Sequence, residues 1–156
     1  MIDELYSARI LRLAANLPHS GRLPSPEGTG ERVAKLCGSK AIVDVTLDES
    51  GRVGAFAQDV KACALGQAAA GVLGEVVIGA SLEDLIEARD AMAAMLKAGG
   101  EGPTGRFEGL RALKQVADYP ARHASTMVVI EATLDAVRAA VARKSPDTRT
   151  SLAGAA

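Results

Sequence analysis

Cys37, in AKLCGS, and Cys63, in KACALGQ, are the two cysteines of this 156-residue chain. Near them in chemical character stand His123 and Ser125, in ARHAST. Thiolate and imidazole are the donors that iron and zinc favour, so these residues define the metal chemistry open to the chain. The opposing reading is plain: cysteine is among the most buried residue types, and in an alanine-rich stretch it serves as a small hydrophobe. Motifs of high specificity do not appear. There is no glycine-rich phosphate loop followed by Lys-Ser/Thr, no Cys-x-x-Cys and no His-Glu-x-x-His.

All the candidate side chains fall at the ends of expected elements. Leu5, Ile10, Leu13 and Leu17 recur at helical spacing over residues 3–17, and Pro18 ends the pattern. PHSGRLPSPEGTG, rich in proline and glycine, reads as an irregular, mobile connector. In KAIVDVTLD, Val43, Val45 and Leu47 alternate with Asp44, Thr46 and Asp48, the mark of a strand with one buried face. ESGR is a turn and VGAFAQDV a second strand, so residues 40–60 form a hairpin. Because two strands alone are marginal, either the segment before Cys37 adds a third or helices cover the sheet.

CALGQAAAGVLGEVV reads as a helix whose small residues permit close backbone approach. Ser81 and Asp84 form a capping box for the next helix, which Gly99 and Gly100 stop; Leu82, Leu85, Ile86, Met92 and Leu96 form its apolar stripe. A short helix to about Val116, a break at Pro120 and a long helix from Arg122 or His123 complete the chain. Cys37 thus precedes one strand, Cys63 follows its antiparallel partner and opens a helix, and His123 and Ser125 open the last helix. The start of one antiparallel strand and the finish of the next lie at the same end, so Cys37 and Cys63 can be neighbours. A helix N-terminus also favours thiolate over thiol at Cys63.

Composition narrows the partners. Hydrophobic residues make up 48% of the chain, aromatics 3%, and the formal charge is −1. A core can form, but no positive field or stacking platform exists for nucleic acid, and no run is long enough to span a membrane. No secretory leader is visible, so the expected location is cytoplasmic, where thiols stay reduced.

The order LPHSGRL, LCGS, hairpin, ACALGQAAAGVL, helices and YPARHASTMVVIEATLDAV resembles the U-type iron–sulfur scaffold family, the NifU N-terminal, IscU and SufU group, from about Leu5 to Val141. The resemblance implies three ligand regions: a Cys in Cys-Gly-Asp, matched by Cys37-Gly38; a Cys before small residues, matched by Cys63; and a third Cys opening the last helix. Here Ser39 stands in place of the Asp and Ser125 in place of the third Cys, while His123 is displaced by one position from the family's histidine. It further implies a labile iron–sulfur cluster (2Fe–2S) or iron held by Cys37 and Cys63, with His123, Ser125 and Ser39 as auxiliary ligands. Zinc on Cys37, Cys63 and His123 is the alternative metal.

The reading is an α+β fold: a small antiparallel β-sheet of two to three strands covered on one face by about four to five helices, in a single domain over residues 1–144 with a disordered tail at 145–156. The expected function is non-enzymatic: a scaffold-like protein in iron–sulfur cluster assembly that receives iron or a cluster and passes it on. Its implied partners are a cysteine desulfurase and cluster-recipient proteins, and it is a monomer or weak homodimer. The alternatives are a zinc-binding or metal-free regulatory module acting on the desulfurase, and a sulfurtransferase carrying a persulfide on Cys63.

Overall fold

The alternation in KAIVDVTL sets the middle of the sheet. In the computed structural model, which describes residues 7–15, 17–36 and 38–144, this segment forms β2, Ser39–Leu47. Strand β1, Gly28–Ala34, pairs antiparallel on one side of it and β3, Val53–Lys61, on the other, in the order β1-β2-β3. Register runs through Gly30 opposite Val43 and Val43 opposite Gln58. The segment before Cys37 therefore supplies the third strand. Its first residues, Gly28, Thr29 and Gly30, were expected in the connector, since glycine ordinarily marks a turn.

Both glycines serve close packing instead. The long C-terminal helix α4, His123–Lys144, lies across the inner face of β1 and β2. A Cβ at Gly28 would overlap the carbonyl oxygen of Ala136, and one at Gly30 that of Ala132. The small residues Ala132, Ala136 and Ala140 on the facing stripe of α4 are each fully buried. Helix α1, Ala8–Ala15, packs on α2, Ala64–Val76, where Gly71 admits the carbonyl of Leu13. The close approach expected of the glycine-bearing helix is thus made to α1 and α4.

Helix α3, Leu82–Ala98, begins at the expected capping box, with Ser81 Oγ accepting from the Asp84 N–H and Asp84 Oδ2 from the Ser81 N–H, both at 3.0 Å. It ends at Gly99, which adopts φ 73°. Leu85, Met92 and Leu96 are buried as expected, joined by Ala88 and Met95, while Leu82 and Ile86 are only partly covered. The following segment is a run of 3₁₀ turns, Gly105–Asp118, rather than a short α-helix. Its buried residues are Phe107, Leu110, Leu113 and Val116, one in every three. That spacing eclipses them on one face of a helix with three residues per turn, and one more such turn, Pro120–Arg122, leads into α4.

The second departure concerns Asp44. It alternates with apolar neighbours as a solvent-facing residue would, yet it is fully buried under the connector. Arg22 donates to its two oxygens at 2.6 and 3.1 Å, Thr29 Oγ1 donates at 2.6 Å and the Leu23 N–H at 3.0 Å. Four donors satisfy the carboxylate, which removes the cost of burying it. The connector is also tied to β3: Gln58 donates its N–H to His19 O, accepts from Gly21 N–H, and its amide donates to Pro18 O and Ala70 O. The 18–27 connector is therefore fastened to the outer face and edge of the sheet. These elements make an α+β fold with helices on the sheet's inner face.

Candidate functional site

Ser39 is the first residue of β2 and points inward with Ala41, Val43 and Val45, all buried. One strand over, β3 ends at Lys61, the register partner of Lys40, so its exit lies beside the start of β2. Ala62 then leads to Cys63, whose extended backbone (φ −66°, ψ 172°) makes it the N-cap of α2. Its side chain makes no capping bond to its own helix. What brings it to Ser125 is Gly66: a Cβ there would sit 2.8 Å from the Ser125 carbonyl oxygen, so the first turns of α2 and α4 touch backbone to backbone.

The result is a chain of polar atoms. Ser125 Oγ, fully buried, lies 2.7 Å from Ser39 Oγ and 3.2 Å from Cys63 Sγ. Cys63 is half-buried and, with Gly38, Ser39, Lys61 and Gln67, lines a cleft of about 400 Å³. Three positions singled out in the sequence, Ser39, Cys63 and Ser125, thus meet in one place from sequence separations of 86 and 62 residues. Cys37 lies outside the described residues.

His123 is placed differently. Its Nε2 stands 2.9 Å from the carbonyl of Val116 and 3.3 Å from that of Ala117. Carbonyls only accept, so Nε2 carries the proton and donates, tying the start of α4 to the end of the long 3₁₀ segment. The ring lines another cavity, of about 450 Å³, with Arg32, Lys97, Met127 and Glu131. With Nε2 donating to these carbonyls, Nδ1 keeps the lone pair with which the ring could bind a metal ion.

Gln67 was not foreseen. It lies one turn beyond Cys63 on the same face of α2, the i, i+4 relation that could have flagged it. Its Oε1 is buried with no hydrogen-bond donor among the described residues. Chemically, the gathered donors are one soft sulfur and two hard hydroxyls, and a hydroxyl stays protonated at neutral pH. Among the described residues no three His, Cys, Asp or Glu side chains cluster in a way that would hold a metal ion.

Fold and site together define a small α+β domain that gathers a thiol and two hydroxyls where a strand and two helices begin. The chain belongs to the family of NifU-like N terminal domains, whose pattern matches residues 5–126. It is similar to the N-terminal NifU-like protein of Brucella abortus, with 44% identity over 89% of this chain and 96% of that one and a TM-score of 0.86. A chain described as an iron–sulfur cluster assembly scaffold protein for the SUF system of Fervidobacterium islandicum AW-1 shares the fold, at TM-score 0.78 and 18% identity over 86% of this chain and 98% of the other. No curated protein matches the sequence. Among the described residues no helix is long and apolar enough to cross a membrane.

Proposed function

We propose that this protein works in iron–sulfur cluster assembly as a non-catalytic carrier, holding iron or a labile cluster through Cys37 and Cys63 and passing it to recipient proteins. The supporting observation is the convergence of Cys63 and Ser39, which line one cleft, with the buried Ser125 hydroxyl behind them, at positions where the family resemblance implies ligands. With hydroxyls at two of those positions, cargo is held by few strong bonds. Weak retention suits a carrier, since what it binds must leave. A cysteine desulfurase is the source of sulfur this role calls for. Zinc on Cys37, Cys63 and His123 is the competing cargo, with Nδ1 of His123 the ring nitrogen left to bind it.

A second reading has its own support. The 2.7 Å bond between Ser39 and Ser125 satisfies both hydroxyls without any ion, as a metal-free regulatory module acting on a desulfurase would require. Anaerobic loading with iron and sulfide, followed by metal analysis and incubation with an apo-ferredoxin, separates the two. The carrier reading expects a visible chromophore that is lost in Cys63→Ala and in Cys37→Ala and that moves to the ferredoxin. Stoichiometric zinc without colour supports the zinc site, and absence of every metal supports the regulatory module.

A further inference from the structure

The two edges of the sheet differ. Along β3 the connector closes the edge, with Gly21 N–H donating to Gln58 O and Gln58 N–H to His19 O, both at 2.9 Å. The start of β3 is closed as well, since Val53 exchanges backbone bonds with Gly79 and Ala80. Strand β1 has no such cover. Among the described residues it pairs with β2 alone, and apart from the bond of Gly38 N–H to Ala34 O in the following turn, no other group bonds to its backbone. Chains ordinarily blunt a free edge with a bulge, a proline or a charge held over it. Here the seven residues Gly28–Ala34 run in unbroken register with β2 and include no proline. Their two charges are engaged by the molecule itself: Glu31 pairs with Lys40 on β2 at 3.1 Å and Arg32 with Asp135 on α4 at 2.6 Å. What stays on the edge is Val33, β-branched and 52% exposed.

Beside this edge lies the cavity of about 450 Å³. Arg32 and Val33 line it from β1, Ala93 and Lys97 from α3, and Met127 and Val128 from α4. Its one carboxylate, Glu131, is already shared between Arg32 and Arg89, at 3.8 and 3.5 Å. Lys97 is exposed and makes no ion pair among the described residues. Its ordinary role, in the last turn of α3, is to offset the carbonyls of that helix end, and this leaves the ammonium open to a carboxylate from outside.

We infer that β1 is a docking strand for a partner protein, which adds an extended segment to the free edge and seats alternate side chains in the cavity. Each feature of the surface selects part of the occupant. The unpaired backbone of β1 takes an extended peptide, and the aliphatic lining takes apolar side chains on one face of it. Lys97 takes a carboxylate, from an Asp or Glu of the segment or from its C-terminus. Because Pro120 and His123 line the same cavity, the docked segment lies against the start of α4, the helix that carries Ser125. This docking goes beyond the carrier reading and stands without it.

The test screens the full chain against a randomised library of synthetic peptides about eight residues long, enough to span the strand. Binding of the selected peptides is read by fluorescence anisotropy, and the contact is located by amide hydrogen exchange. The expected peptides alternate apolar with polar residues, carry a carboxylate, and slow exchange in Gly28–Ala34. The same peptides methylated on alternate backbone nitrogens should not bind. Val33→Lys, which leaves the core untouched, should weaken binding about tenfold. Lys97→Glu should weaken it about fivefold and reverse the preference toward a peptide with Lys in place of the carboxylate. Failure to select any peptide, or selected peptides whose affinity and exchange footprint ignore both substitutions, overturns the docking strand. So does a wild-type dimer in light scattering that Val33→Lys returns to monomer, because a second copy then holds the edge.

Discussion

At the scale of single residues, Ser125 is the hinge of the site because its hydroxyl is the shared neighbour of Ser39 and Cys63. Replacing it with alanine removes a buried hydrogen bond, so Ser125→Ala should lose about 1 kcal/mol of stability in urea unfolding. Asp44 gives a pH prediction. Burial alone pushes its carboxyl up, but hydrogen bonds from Arg22, Thr29 and the Leu23 N–H outweigh that and hold it below the ordinary carboxylate value. A group whose folded pKa is depressed stabilises above its unfolded value, about 3.9, and loses that contribution as pH falls through the folded one. Asp48, held down chiefly by the Ser50 hydroxyl, and Asp84, held down by the Ser81 N–H, act with the same sign. The urea midpoint should stay level above about pH 5 and drop below about pH 4. In Asp44→Asn the protein should be weaker by about 2 kcal/mol at neutral pH, with a shallower acid drop. The alternation of β2 concealed Asp44, because donors on Arg22, Leu23 and Thr29, far away in the pattern, decide its burial.

Among the elements, the decisive contacts are backbone to backbone. Gly30 admits the carbonyl of Ala132, so Gly30→Ala should cost about 3 kcal/mol by forcing α4 off the sheet. Gly66 does the same for the starts of α2 and α4. Gly66→Val should separate Cys63 from Ser125 and reduce iron retention several-fold after desalting, even where circular dichroism shows the helices intact. Much of this layer was legible: the hairpin from its period of two, α3 from its capping box, and α4 from the break at Pro120. Strand β1 was legible only as one of two possibilities, and its start at Gly28 was hidden, because glycines that serve helix packing look like turn residues until the helix is present. The 3₁₀ segment was half legible, since Phe107, Leu110, Leu113 and Val116 repeat every third residue, a spacing close enough to the α-helical one to be taken for it.

For the molecule as a whole, the fold turns scattered residues into one site. Family membership was legible from the order of short motifs, and in the fold Ser39, Cys63 and Ser125 meet side chain to side chain. His123 shows what order does not fix: its place in the chain suits a ligand, but its ring direction depends on the carbonyls that the 3₁₀ segment offers it. Gln67 was hidden for a similar reason, since an amide is marked in the sequence only by its i, i+4 spacing from Cys63. The proposed carrier role depends on iron bound to sulfur at this cleft. X-ray absorption at the iron K-edge, on protein loaded anaerobically and desalted, reads that bond directly. The predicted result is sulfur as the nearest neighbours of iron in wild type, lost in Cys63→Ala; iron surrounded by oxygen and nitrogen alone, or a spectrum unchanged in Cys63→Ala, contradicts it.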